Sequence, residues 1–128
     1  MANTPAKAAS RWHDAPKAQR DWLEAYYRQA SNEVMSLFST SQLIDAALAH
    51  QKLAAKAPPP QGKAEWLNGP GPREYRLLTV CPDRPFLVDT LQLTLRRHGA
   101  QVIATFHPQL RLDRSGRTLK VGDDGPLE

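Results

Sequence analysis

The residues of this chain with the most chemistry to offer stand together at Cys81-Pro82-Asp83-Arg84-Pro85-Phe86-Leu87-Val88-Asp89, where an apolar run gives way to a helical pattern. The first turn of a helix leaves backbone N–H groups without intrahelical partners, and such groups suit a small molecule's carboxylate. Asp83 would accept from those amides or from a ligand's ammonium group, and Arg84 would add a carboxylate contact. The plainer reading of the same residues is an Asx-type cap, a proline at the first helical position and a solvent-exposed arginine. Cys81, the one cysteine, reads as a buried strand-end residue in preference to a thiol activated by the helix terminus. Metal chemistry has no support: thiolate clusters need more cysteines, and His13, His50, His98 and His107 lack ligand-like spacing. His107, outward on its strand beside Pro108, reads as a hydrogen-bonded surface or interface residue. No G-x-G-x-x-G or P-loop occurs, and Gly69-Pro70-Gly71-Pro72 is a linker signal, so no catalytic, cofactor-binding or metal-binding residue is expected in this segment.

Positioning the Asp83 cluster takes a strand before it and a helix after it. Tyr75 to Cys81 is an apolar run of strand length closed by Pro82. Phe86, Leu87, Val88, Leu91 and Leu95 share a stripe that predicts a helix over about 85–98, stopped by Gly99 because glycine takes the left-handed C′ conformation without a Cβ penalty. From Gln101 to Asp113 the chain alternates, with Val102, Ala104, Phe106, Leu110 and Leu112 on one face of a strand. Asp113-Arg114-Ser115-Gly116 then offers a turn into a second short strand over Thr118–Val121. The order β-α-β-β opens a ferredoxin-like sandwich, with the last strand inserted between the first two. The 101–113 strand is then an edge, which suits Pro108, and the 75–81 strand keeps an open edge, since only a short tail remains for the missing helix and strand. Leu87, Leu91 and Leu95 are expected to pack on Val102, Ala104 and Phe106.

Upstream, residues 1–17 read as a flexible start and 18–57 as a helical segment. Trp22, Leu23, Tyr26 and Tyr27 fall at helical spacing, and Ser39 with Gln42 forms a capping-box pattern ahead of a helix over about 41–57 that Pro58-Pro59-Pro60 ends. Residues 58–72 read as a Pro/Gly-rich linker with a short strand near Glu65–Leu67, 73–122 as the β-α-β-β unit and 123–128 as a tail. The 128 residues, 41% hydrophobic and 23% charged, describe one soluble domain and exclude a collagen or a coiled coil. No apolar run reaches the roughly 18 residues of a membrane span, and the N-terminus has no apolar signal core. With a single cysteine, a reducing, cytoplasmic setting is expected. The net charge of +4 divides evenly: residues 1–72 hold eight Lys+Arg and six Asp+Glu, residues 73–128 nine and seven, so each part is +2. Arg96-Arg97-His98 is the one basic cluster and sits where a helix C-terminus favours cations, so nucleic acid is not an expected partner. An RNA-binding module of this topology would also need a stacking strand of aromatics that is missing.

Asp83-Arg84-Pro85 followed by Leu87 resembles the Asp-Arg-Pro-Gly-Leu signature of ACT domains, ferredoxin-like modules that bind amino acids and regulate metabolic enzymes. The longer string PFLVDTLQLTLRRHGAQVIATFHPQLRLDRSGRTLKV, together with SQLIDAALAHQKLAAK before it, resembles the N-terminal ACT-like region of the large bacterial NAD-specific glutamate dehydrogenases over roughly residues 21–128. The resemblance implies an α+β fold: a partial ACT-like, ferredoxin-like β-α-β-β sandwich preceded by a helical pair. It implies a non-catalytic regulatory or structural segment of an enzyme that converts glutamate and NAD to 2-oxoglutarate and ammonia, with NAD bound far beyond this region. Effector-binding positions carried over are Asp83, Arg84, Pro85, Phe86 and Leu87. Phe86 stands where effector-binding members carry glycine, and its ring is expected to fill the space a ligand would take, which favours an interdomain role. Expected partners are the parent enzyme's downstream domains or a second copy through the open strand edge. The alternative is a stand-alone ACT-type module that senses an amino acid as a dimer.

Overall fold

The computed structural model describes residues 15–69, 71–114, 119–122 and 127–128. Its elements run α1 (Lys17–Tyr26), α2 (Asn32–Met35), α3 (Thr40–Ala54), β1 (Lys63–Asn68), β2 (Tyr75–Val80), α4 (Leu87–Arg97), β3 (Leu112–Asp113) and β4 (Lys120–Val121). The fold is α+β. Most of the expected flexible start, residues 115–118 of the expected turn and second strand, and most of the 123–128 tail lie outside the described residues.

Helix α3 begins as its sequence demands: the Ser39 hydroxyl accepts from the Gln42 N–H at 3.1 Å and the Gln42 side chain takes the Ser39 N–H at 2.9 Å. Its buried residues Leu43, Ala47 and Ala54 meet Trp22, Leu23, Tyr26 and Tyr27 of α1 and the turn after it, with Met35 of α2 closing the group. The aromatics of α1 are buried without stranding their polar ends. Trp22 Nε1 donates to the Ala47 carbonyl at 2.8 Å, and the Tyr27 hydroxyl donates to the Leu43 carbonyl.

Val80 of β2 and Leu119 belong to this same core, so the helical segment and the strands are one packed body. Residues 58–72, expected as a linker with a short strand near Glu65–Leu67, carry the longer strand β1, which pairs antiparallel with β2 from Lys63↔Val80 to Asn68↔Tyr75. Gly62 makes the approach possible: its φ is +87°, and a Cβ there would lie 2.7 Å from that of Cys81. Trp66 and Tyr75 meet edge-on across this hairpin and stay largely exposed.

The 101–113 segment keeps its expected alternation, with Val102, Ala104, Phe106, Pro108, Leu110 and Leu112 half-buried and their neighbours exposed. Only Leu112 and Asp113 enter a regular ladder, with Val121 and Lys120. The partner of the apolar face differs from expectation. Phe106 packs against Tyr27 and Phe38, with ring centroids at 5.3 and 6.1 Å, and not against the stripe of α4. Helix α4 buries no residue fully; it lies over the opposite face, where Gln92 bonds Thr105 at 3.0 Å. Side-chain parity decides this: adjacent strand residues point to opposite faces, so Phe106 and Thr105 have different partners.

Helix α4 ends as expected. Gly99 takes φ +84°, its N–H bonds the Arg96 carbonyl, and the Ala100 N–H reaches back to Leu95, each at 3.0 Å. These two bonds are a Schellman motif.

Candidate functional site

Strand β2 leads to Cys81 and Asp83 in a cleft between β2 and the 106–112 segment, lined also by Trp22 and Tyr26 of α1, His50 and Ala54 of α3, and Leu87. Of the five carried-over residues, Asp83 and Leu87 line it, while Arg84, Pro85 and Phe86 do not. The Asp83 carboxylate accepts from Gln109 Nε2 at 3.0 Å, and its N–H donates to the Leu127 carbonyl at 2.9 Å. The expected cap on the helix is not made: no side chain caps the N-terminus of α4. Arg84 turns away and donates to the Pro60 carbonyl in the turn before β1.

Phe86 corrects the expectation most directly. The residue is 76% exposed and does not line the cleft. Its backbone holds φ +62°, the left-handed region that glycine occupies freely and that costs other residues about 1–2 kcal/mol. The positive φ alone gives this position a backbone preference for glycine, independent of any ligand. Phe86→Gly is expected to raise the unfolding free energy by about 0.5–1 kcal/mol, the relieved strain less the added entropy of an unfolded glycine. Urea denaturation measures it, and a loss of stability would refute the backbone reading.

The cleft's floor holds a polar chain that sequence inspection passed over. Tyr26 and His50 meet at 2.8 Å between hydroxyl and Nδ1, and His50 Nε2 lies 2.7 Å from the Thr79 carbonyl. A carbonyl only accepts, so Nε2 carries the proton and Nδ1 accepts from the tyrosine. Burial lowers the His50 pKa below its usual 6.5, against the opposing pull of the Thr79 carbonyl. Burial also pushes the Tyr26 and Tyr27 hydroxyls and the Cys81 thiol upward. Neither a thiolate nor a phenolate nucleophile is favoured here, and the imidazole is spent on two structural bonds. The helical spacing of Trp22 with Tyr26 and of Ala47 with His50 was the available signal, masked because His50 sits among alanines and leucines.

Arg114 closes the far end. Its guanidinium grips Glu128 with two parallel bonds of 2.8 and 2.7 Å, and its Nε donates to the Ala54 carbonyl at the end of α3 at 3.0 Å. Among the described residues no group of three His, Cys, Asp or Glu side chains is placed to hold a metal ion. No helix among them is long and apolar enough to cross a membrane. The cleft's cavity volume is about 80 Å³, well under the ~300 Å³ at which small-molecule pockets begin.

The family model described as glutamate dehydrogenase, ACT1 domain matches residues 22–126, from the first buried tryptophan of α1 to just short of the Leu127 bridge. No curated protein matches the chain. No solved structure matches it.

Proposed function

The chain belongs to the glutamate dehydrogenase ACT1-domain family, and from that premise we propose that it is the non-catalytic, N-terminal structural and regulatory segment of an NAD-specific glutamate dehydrogenase. The parent reaction is glutamate and NAD to 2-oxoglutarate and ammonia in the cytoplasm. The segment itself takes no cofactor and works by packing against the enzyme's other domains or copies. The observation that carries this reading is the extent of the match: it runs from within α1 through α2, α3, the strands and α4, and the helical segment shares one core with β2 and the later strands through Tyr27, Phe106, Val80 and Leu119. A match that spans both the helical segment and the strands, packed around one core, fits a building block of its enzyme. The cleft's polar groups, tied to one another, support a structural role over catalysis.

An antibody against residues 73–122 tests this on a denaturing gel of source-cell extract. A band far larger than the 14.3 kDa of this chain is expected; a band at that mass would overturn the enzyme-segment reading. Effector sensing is tested separately. A panel of amino acids titrated calorimetrically is expected to give no binding, because Asp83 is engaged by Gln109 and Arg84 by Pro60. Micromolar binding lost in Asp83→Ala would turn the assignment to an amino-acid sensor.

A further inference from the structure

Asparagine stands at three positions in this chain, Asn3, Asn32 and Asn68, and only Asn68 is followed by glycine. A carboxamide before glycine is the least hindered setting for attack by the following backbone nitrogen, because glycine has no Cβ to shield it. In a two-residue hairpin an Asn-Gly pair forms the turn itself. Here it does not. Asn68 is the last residue of β1, opposite Tyr75, and the ladder runs one step further, where the Gly69 N–H donates to the Glu74 carbonyl at 2.7 Å. The glycine is required, since a Cβ at Gly69 would lie 2.9 Å from the Glu74 carbonyl carbon. No contact requires the asparagine: it is exposed, and its carboxamide has no hydrogen-bond partner among the described residues.

The strand that carries this pair is lightly anchored. Among the described residues β1 pairs with β2 alone, and none of its side chains is fully buried or belongs to the core. Beside Glu74, Arg73 holds φ +61°, a left-handed conformation that disfavours residues other than glycine. Ladder ends with few buried contacts open locally while the rest of the fold stays intact. We propose that Asn68-Gly69 is a self-modification site, which deamidates when this end of the β1–β2 ladder opens. With the ladder closed, the Gly69 N–H is directed at Glu74 and its nitrogen is held off the Asn68 side chain. With it open, rotation about the Asn68 Cα–C bond brings that nitrogen onto Cγ. The N–Cγ bond forms, the Cγ–Nδ2 bond breaks, and the amide proton leaves with Nδ2 as ammonia. Water then opens the cyclic imide at either carbonyl. Opening at Cγ leaves an aspartate, whereas opening at the main-chain carbonyl leaves an isoaspartate, whose backbone runs through Cγ and is one carbon longer. Each product places a carboxylate opposite Tyr75, and the longer backbone takes Gly69 out of register with Glu74.

The test holds the full chain at neutral pH, folded or unfolded in guanidinium, and follows the tryptic peptide 64–73 by mass spectrometry, with enzymatic methylation to mark isoaspartate. In the unfolded chain Asn68 is expected to convert ahead of Asn3 and Asn32, giving both products. In the folded chain the same residue is expected to convert roughly tenfold more slowly, a ratio set by the fraction of time the ladder end is open. Trp66→Ala removes the exposed ring that meets Tyr75 and lies outside the core, and is expected to move the folded rate toward the unfolded one. No conversion at Asn68 in the unfolded chain, or earlier conversion at Asn3 or Asn32, would overturn the site. Equal rates in folded and unfolded chains, no conversion in the folded chain, or a folded rate unchanged by Trp66→Ala would overturn control by the ladder.

Discussion

Replacing Leu23 by alanine is expected to lower the unfolding free energy by about 3–5 kcal/mol, the cost of an unrelaxed cavity at a fully buried leucine. Leu23 has no exposed surface and lies in the core that α1 and α3 form with Val80 and Leu119. Leu91 is the control, because it sits on α4 and is only half-buried. Leu91→Ala is expected to cost about 1 kcal/mol, roughly half the transfer free energy of a leucine side chain. Guanidinium denaturation followed by both circular dichroism and tryptophan fluorescence measures the two. Coincident transitions in the Leu23 variant would show that helices and strands unfold as one unit. Equal losses in the two variants would refute the placement of the core on the α1–α3 face.

Stability should also decline as pH falls below about 6.5, and His50 should account for the decline. Burial holds its folded-state pKa below the ordinary 6.5. Above that pH the imidazole is neutral in folded and unfolded chains alike, and its two bonds contribute in full. As pH falls, the unfolded chain takes up the proton first, so the unfolded state binds more protons and stability drops until folded His50 is protonated as well. Protonation also puts a hydrogen on Nδ1, where Tyr26 now donates. His50→Ala should cost about 1–3 kcal/mol at pH 7.5, since the Tyr26 hydroxyl and the Thr79 carbonyl lose their partner. It should also flatten the slope between pH 7 and 5. Denaturation midpoints across that range supply both numbers, and a slope unchanged by the substitution would count against His50.

What the amino-acid sequence disclosed and what it hid divide along physical lines. Local hydrogen-bond chemistry was legible: the Ser39–Gln42 capping box and the Gly99 stop are both made as their residue types require. The phase of the 101–113 strand was legible too, because alternation needs no partner to be seen. The partner itself was not. Phe106 meets Tyr27 from nearly eighty positions away, and nothing in the spacing of Leu87, Leu91 and Leu95 says that their face of the sheet is the less covered one. Strand β1 was legible as a short strand near Glu65–Leu67, but its Pro/Gly flanks hid its full length and its pairing with β2. At the site, residue type pointed to Asp83 and Arg84 as free ligand contacts. The structure spends them on Gln109 and Pro60 and places the buried polar chain at Tyr26 and His50.

The Arg114 clasp has a mechanical meaning. Its guanidinium holds the side chain of Glu128 and the last carbonyl of α3 at once, while the backbone of Glu128 is bonded to Leu110. A pull applied at Glu128 along the strand direction therefore loads the ladder bonds and the fork of the guanidinium together, in shear, and passes part of the load directly to the helix. A pull at right angles would peel the same contacts one after another. Lysine in place of Arg114 would keep the charge and lose the fork, and the joint would yield at lower force along its strong axis.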